Sequence, residues 1–122
     1  MTRTPSRLTV GVAGVGESFE TFHRPFLECL PDFEITHLCR RSDQEYDHPA
    51  VRVGSFDELV GQPLDLILIL TPNDSHFEMA RQALMGGRNV VVEKPFTTTS
   101  VEADKLLRLA QERELCLSVF HN

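Results

Sequence analysis

The chain has 122 residues, enough for one domain with a buried core, and its 41% hydrophobic and 25% charged content is ordinary for a soluble globular protein. The formal net charge of -6 argues against nucleic acid or an anionic membrane as partner, because both favour clustered lysine and arginine. No apolar run approaches the roughly 20 residues that cross a bilayer, and the first residues lack the apolar core of a signal peptide. The sequence therefore predicts a cytoplasmic protein.

The cysteines predict neither a disulfide framework nor a metal centre. Cys29, Cys39 and Cys116 are odd in number, far apart and surrounded by apolar residues, a pattern typical of buried free thiols. His76 has no second metal-binding side chain three or four positions away, so no metal site is expected there.

The first segment combines a strand with a glycine-rich turn. Residues 8–13 form a small apolar strand that runs directly into Gly14-Val15-Gly16-Glu17-Ser18-Phe19. A strand followed by G-x-G begins the dinucleotide fingerprint, in which the first glycine makes a tight turn and the second lets backbone N–H groups approach a pyrophosphate. Phe19 stands where a third small residue usually allows close helix packing. We expect a phosphate-binding loop here, although G-x-G alone also marks ordinary tight turns.

A helix and a second strand follow the loop. The apolar residues Phe22, Phe26, Leu27 and Leu30 share one helical face, which predicts that this face is buried. Pro25 is best tolerated in a first turn, so the helix should be interrupted or restarted near it. Residues 33–39 then alternate in the manner of a strand.

The residues after the second strand bear on the choice of cofactor. Arg40-Arg41-Ser42 occupies the position where an acidic residue would bind the ribose 2′-hydroxyl of NAD, whereas an arginine there suits the 2′-phosphate of NADP. The pattern favours NADP over NAD. Asp43 keeps open the alternative of a solvated loop without a cofactor role.

The rest of the chain continues to alternate strands and helices. Strands are predicted at residues 51–53, 65–70, 90–92 and 115–120, and helices begin at the capping boxes headed by Ser55, Ser75 and Thr99. The last helix should bury Ala103, Leu106, Leu107 and Ala110. This alternation predicts an α/β fold with a doubly wound parallel sheet of six strands.

The stretch at residues 89–96 places charge at the end of a buried strand. Three valines precede Glu93-Lys94-Pro95, so a carboxylate and an amine should lie at the carboxyl edge of the sheet, where open α/β sheets bind ligands. Pro95 biases Lys94 towards an extended conformation, which directs the lysine out of the strand end. Judged by position alone, a solvated Glu–Lys pair is the commoner explanation.

Taken together, these pieces resemble the nucleotide-binding half of the Gfo/Idh/MocA oxidoreductases. The matching stretches are Gly14-Val15-Gly16, Pro31-Asp32-Phe33-Glu34, Thr71-Pro72-Asn73-Asp74-Ser75-His76, residues 87–95 and Phe120-His121-Asn122. Phe22-His23-x-Pro25-Phe26 further resembles a bacterial subgroup of that family. The resemblance covers nearly the whole chain, and the Thr-Pro-Asn and Glu-Lys-Pro elements in this order are more specific than the glycine loop.

The resemblance implies a Rossmann domain that binds a nicotinamide dinucleotide for hydride transfer to or from a sugar, polyol or related hydroxyl or carbonyl compound. Lys94 would be the catalytic residue, facing the reacting oxygen. The implied cofactor contacts are Gly14, Val15, Gly16, Glu17, Ser18 and Phe19 for the pyrophosphate, Arg40 and Arg41 for the adenosine ribose or its phosphate, Thr71, Pro72, Asn73 and His76 for the ribose and nicotinamide, and Glu93 and Asn122 as further contacts.

The resemblance also sets expectations for the whole protein. Family members continue into a second α/β domain that supplies much of the substrate pocket, an acid/base group and the oligomer interface. Residues 1–122 are therefore expected to be the NAD(P)-binding domain alone, which binds cofactor with little turnover, exposes apolar surface and derives from a homo-oligomer. The alternative is a stand-alone nucleotide-binding module with a regulatory or assembly role and no catalysis, and a domain with a degraded site is a third option.

Overall fold

The protein forms a six-stranded parallel sheet with helices on both faces. The structure is a computed structural model that describes residues 7–40 and 46–120, except for the side chain of Asn73. The strands are β1 (Leu8–Ala13), β2 (Phe33–Cys39), β3 (Val51–Val53), β4 (Leu66–Ile69), β5 (Asn89–Glu93) and β6 (Leu117–Phe120). All neighbouring pairs are parallel, in the order β3-β2-β1-β4-β5-β6. The predicted doubly wound Rossmann fold is confirmed, and its order reverses between β1 and β4, where such sheets bind ligands.

The helices begin largely where the sequence predicts. They are a π-helical turn at Phe19–His23, α1 (Arg24–Cys29), α2 (Phe56–Val60), a 3-10 turn at Asn73–Ser75, α3 (His76–Met85) and α4 (Ser100–Glu112). The Ser55 and Thr99 side chains accept hydrogen bonds from the backbone N–H groups of Glu58 and Glu102, as capping boxes require. The capping box predicted at Ser75 is wrong, because the Ser75 hydroxyl donates to the carbonyl oxygen of Pro72 in the preceding turn instead.

Two apolar clusters, one on each face of the sheet, form the core. The first contains Ile67 and Ile69 of β4 with buried residues of α2, α3 and α4, and the second contains Leu68 of the same strand. Val90 and Val92 belong to the first cluster, while Val91 packs against the second. This alternation confirms that β4 and β5 are covered on both faces, as parallel central strands must be.

The helix after β1 buries a different face from the predicted one. Phe26 and Leu30 are 62% and 43% exposed, whereas Phe19 and His23 are buried. The backbone N–H of Arg24 donates to the carbonyl five residues earlier, so the π-helical turn holds an extra residue and rotates the face that follows. The interruption expected near Pro25 is therefore present as a π-helical turn.

Two smaller expectations also need correction. Leu107 is 53% exposed, because α4 packs through Leu106 and Ala110. Cys29, the last residue of α1, and Cys116, just before β6, are exposed, so the expected burial is wrong for these two thiols. Within residues 7–40 and 46–120, no helix is long and apolar enough to span a bilayer, and no group of three potential metal ligands occurs.

Candidate functional site

The two glycines of the loop after β1 have different structural tasks. Gly14 has a φ of +99°, and a Cβ atom there would lie 2.9 Å from the carbonyl carbon and oxygen of Leu70. Only glycine fits this close approach of the loop to the end of β4. A Cβ on Gly16 would meet no atom within 4 Å, so the loop is open at that point. The helical turns begin just after Gly16, with their first N–H groups unpaired within the helix, and this arrangement suits a pyrophosphate.

A side-chain hydrogen bond joins the glycine loop to the end of β5. Ser18 Oγ donates to Glu93 Oε1 at 2.7 Å, across 75 positions of sequence. The two motifs that the sequence identified separately therefore meet at one site. Of the other loop residues, Glu17 is exposed, and Val15 packs partly against the second core cluster.

Phe19 fills the core beneath the loop. Its side chain has no exposed surface and packs in the second cluster with Val10, Val12, Leu38 and Leu68. The Phe19 side chain, which was expected among the cofactor contacts, is thus part of the core. Only its backbone can face the loop.

His76 links the loops that follow β4 and β5. The ring is 1% exposed, and Nδ1 lies 2.7 Å from the carbonyl oxygen of Pro95, while Nε2 lies 2.7 Å from that of Thr71. Each ring nitrogen faces a backbone carbonyl oxygen, and a neutral imidazole donates to one of the two, the tautomer deciding which. His76, expected among the cofactor contacts, lies buried between the backbone of Thr71 and that of Pro95.

The turn after β4 is further fixed by hydroxyl groups. Thr71 Oγ1 lies 2.6 Å from Ser75 Oγ, and Ser75 Oγ donates to the carbonyl oxygen of Pro72 at 2.6 Å. Asn73 begins the 3-10 turn, but its side chain lies outside the described part of the structure.

Lys94 lies directly after β5 and is exposed at the carboxyl edge. Its backbone N–H donates to the carbonyl oxygen of Phe120 at 3.2 Å, and its peptide bond with Pro95 is cis. The chain is thus held on one side by β6 and on the other by the contact between Pro95 and His76. This arrangement fixes the backbone from which the Lys94 side chain projects.

Arg40 lies beside the glycine loop. The backbone N–H of Gly14 donates to the carbonyl oxygen of Cys39, the last residue of β2, at 3.4 Å, and Arg40 directly follows that contact. Its guanidinium carbon lies 4.7 Å from the centre of the Tyr46 ring. Arg41 and Asn122, the remaining expected contacts, lie outside the described residues.

The sequence comparison decides the family. The model described as "Oxidoreductase family, NAD-binding Rossmann fold" matches residues 8–121. The chain belongs to the Gfo/Idh/MocA oxidoreductases. It is an NAD(P)-binding Rossmann domain of this family.

Relatives of this Gfo/Idh/MocA domain include proteins with named activities. The chain is 34% identical over 124 residues to scyllo-inositol 2-dehydrogenase (NADP(+)) IolW of Bacillus subtilis, covering 98% of this chain and 35% of the relative. It is 39% identical over 134 residues to D-xylose 1-dehydrogenase (NADP(+)) of Hypocrea jecorina, covering 93% of this chain and 34% of the relative. A crystal structure from Bacteroides fragilis superposes with a TM-score of 0.92 at 41% identity, covering 96% of this chain and 38% of that one. The chain thus spans about a third of the length of the curated relatives it matches.

Two residues of this Gfo/Idh/MocA domain were not singled out from the sequence for a role at the site. His23 is 6% exposed, its ring centre lies 4.5 Å from that of Phe120, and its Nε2 has no hydrogen-bond partner within the described residues. Burial lowers the pKa of His23, and the nearby Glu93 carboxylate opposes this only in part. The guanidinium carbon of Arg40 lies over the Tyr46 ring. The Phe22-His23-x-Pro25 pattern pointed to His23 as a family feature, while nothing in the sequence pointed to Tyr46.

Proposed function

We propose that this domain binds NADP in preference to NAD and serves an oxidoreductase that transfers hydride to or from a CH–OH group of a sugar, polyol or related compound. The observation that carries the cofactor preference is Arg40, a cation at the end of β2 beside the contact between Gly14 and Cys39. An acidic residue at this position would repel a 2′-phosphate, whereas a guanidinium can pair with it. The two relatives named above carry NADP(+) in their names, which supports the same choice.

The described residues fit a dinucleotide. Gly16 leaves open space at the start of a helical segment, where backbone N–H groups can bind a pyrophosphate. We assign this contact to the loop of Gly14, Val15, Gly16, Glu17 and Ser18, with Phe19 contributing through its backbone alone.

The remaining assignments follow the edge of the sheet. Arg40 and Arg41 would bind the 2′-phosphate, while Thr71, Pro72, Asn73, Glu93 and Asn122 would contact the ribose and nicotinamide side. His76 would act through the backbone it contacts, since its ring lies between the carbonyl oxygens of Thr71 and Pro95 and can donate to one of them.

Lys94 is the proposed catalytic residue. The nicotinamide ring, when bound, accepts or donates the hydride. The exposed Lys94 side chain at the end of β5 can place its positive charge beside the substrate oxygen. That charge stabilises a developing alkoxide during oxidation of an alcohol and polarises a carbonyl during reduction. A homo-oligomeric whole protein acting on a carbohydrate-like substrate is part of the same proposal.

Titration of the 122-residue chain with NADPH and NADH tests the cofactor preference. NADPH is expected to bind at least about tenfold more tightly, a difference of about 1.4 kcal/mol. The Arg40→Asp variant should lose this preference while keeping its affinity for NADH. Arg108→Asp, with the same charge change at an exposed position of α4, is the matched control and should behave as wild type. Failure of both cofactors to raise the melting temperature at millimolar concentration would overturn the proposal.

A further inference from the structure

One helical turn contacts the ends of two neighbouring strands. Ser18 Oγ donates to Glu93 Oε1 at 2.7 Å, and the centre of the His23 ring lies 4.5 Å from that of Phe120. Glu93 and Phe120 are partners in the parallel pairing of β5 with β6. Ser18 directly precedes the π-helical turn and His23 is its last residue, so one turn brings the hydroxyl and the imidazole to the same strand ends.

The bond between Ser18 and Glu93 places a negative charge beside the proposed pyrophosphate site. Ser18 belongs to the loop that we assign to the pyrophosphate, and its hydroxyl donates to a carboxylate. The backbone N–H groups of the loop attract an anion, whereas the Glu93 carboxylate repels one. A dinucleotide therefore binds more tightly when a cation near the loop offsets the charge of Glu93.

His23 is a buried group that can become this cation. Its side chain is 6% exposed, and its Nε2 has no hydrogen-bond partner within the part of the chain that the structure describes. A neutral imidazole carries one proton and can take a second, and both nitrogens of the charged ring are donors. Burial lowers the pKa of His23 by more than the Glu93 carboxylate raises it, so the ring without cofactor is mostly neutral at about pH 7.

Among the described residues, Glu93 is the charged group that acts on the His23 ring. On the helical segment that carries His23, Glu20 Oε1 and Arg24 Nη1 form an ion pair at 3.3 Å. On the other side, the exposed Lys94 directly follows Glu93, and the residues of β6 have no titratable side chain. The charge state of the ring therefore depends on its burial and on the negative charge near it.

A bound dinucleotide favours the charged form of His23. Its pyrophosphate adds negative charge at the loop, which raises the pKa of a nearby imidazole. Desolvation opposes this only weakly, because the ring has almost no exposed surface left to lose. A group whose pKa is higher in the complex than in the free protein takes up a proton when the complex forms.

We propose that His23 takes up a proton from solvent when the dinucleotide binds and thereby offsets the charge that Glu93 places beside the pyrophosphate. This inference rests on the proposed function, because it requires a dinucleotide in the glycine loop. His23 acts through its charge and not through contact with the reacting atoms. The affinity for cofactor therefore rises as the pH falls through the pKa of His23 in the complex, and it levels off below the pKa of His23 in the free protein.

Calorimetric titration of the 122-residue chain with NADH tests this inference. NADH lacks the 2′-phosphate, a group that itself titrates at about pH 6. The binding enthalpy in two buffers with different ionisation enthalpies gives the number of protons taken up. We expect about half a proton at about pH 6, with NADH bound about threefold more tightly there than at about pH 8.

Two variants assign the proton to its residue. His23→Phe keeps an aromatic ring against Phe120 and should abolish both the proton uptake and the pH dependence of NADH affinity. His48→Gln removes another histidine whose pKa is lowered by burial, away from the bond between Ser18 and Glu93, and should keep the wild-type uptake. Should His23→Phe not fold, an NMR titration of the wild-type histidine rings with and without NADH gives the pKa of His23 directly.

The outcomes separate this inference from the function on which it rests. If neither NADPH nor NADH binds at any pH tested, the proposed function fails and this inference fails with it. If NADH binds without proton uptake, or if the uptake persists in His23→Phe, only the role of His23 is overturned. A pKa of His23 that stays the same or falls when NADH is added would overturn that role as well.

Discussion

Two regions at the carboxyl edge of the sheet each contain a buried histidine, and the two histidines differ in the polar neighbours of their ring nitrogens. In the first, which we call the strand-end region, the His76 ring lies between the carbonyl oxygens of Thr71 and Pro95, each 2.7 Å from one ring nitrogen. In the second, which we call the helix-side region, His23 packs against Phe120 near the bond between Ser18 and Glu93. There, Nε2 of His23 has no hydrogen-bond partner in the described part of the chain.

This difference in polar neighbours indicates that contacts within the fold alone set the shape of the strand-end region. A backbone carbonyl oxygen lies 2.7 Å from each ring nitrogen of His76, whereas Nε2 of His23 has no such neighbour within the described residues. A buried polar atom that lacks a partner costs about 1–3 kcal/mol. Gly14 belongs to the first region, because its backbone touches the end of β4 just before Thr71. The backbone that carries Lys94 and Thr71 is therefore expected to be rigid without cofactor, while the helix-side region should respond to pH.

The largest effect on the free energy of unfolding is expected for Gly14→Ala in the strand-end region. A side chain at a φ of +99° is strained, and its Cβ would lie 2.9 Å from backbone atoms of Leu70. We expect a loss of about 3 kcal/mol in the free energy of unfolding, from backbone strain together with overpacking. Unfolding by denaturant measures this loss in the free energy of unfolding. Gly16→Ala is the matched control and should keep wild-type stability while weakening NADPH, so equal losses in the two variants would contradict the assigned tasks.

His76→Leu should follow, with a loss of about 2 kcal/mol in the free energy of unfolding. Leucine has a similar volume but removes the N–H donor that lies between the carbonyl oxygens of Thr71 and Pro95. Urea unfolding checks the loss, and NADPH titration of the folded fraction should show weaker binding. His37→Leu, a histidine change on β2 outside this region, should cost less. If the two variants were equally stable, His76 would not hold the strand ends together.

The sequence predicted the elements better than the contacts between them. Apolar runs and glycine or proline stops are local signals, and they located all six strands and the order of the motifs along the chain. The bond from Ser18 to Glu93 spans 75 positions and that from His76 to Pro95 spans 19, so no local pattern could specify which atoms meet. The π-helical turn moved burial from Phe26 to Phe19 and His23, because an irregular turn has no periodic signature.

The smallest expected effect is a pH dependence that arises in the helix-side region. The pKa of His23 is lowered by burial from its ordinary 6.5, so the unfolded chain takes up a proton more readily than the folded one. The contribution of the neutral His23 side chain to the free energy of unfolding is fully present above about pH 6.5. It is lost as the pH falls from there through the folded-state pKa of His23. Urea unfolding at pH 7.5, 6.5 and 5.5, as chosen test conditions, should show the loss in wild type and a flatter profile in His23→Phe.

His48 provides a control for the His23 prediction. Burial and the charge of Arg24 also lower the pKa of His48, so it contributes to the pH dependence of stability with the same sign. His48→Gln should therefore remove a separate part of the slope and leave the part that belongs to His23. Glu78, whose pKa is lowered by Arg81, acts only near and below its ordinary 4.5 and does not enter this range. If His23→Phe kept the full wild-type slope, His23 would not be the source of the pH dependence, and the contrast between the two histidines would be overturned.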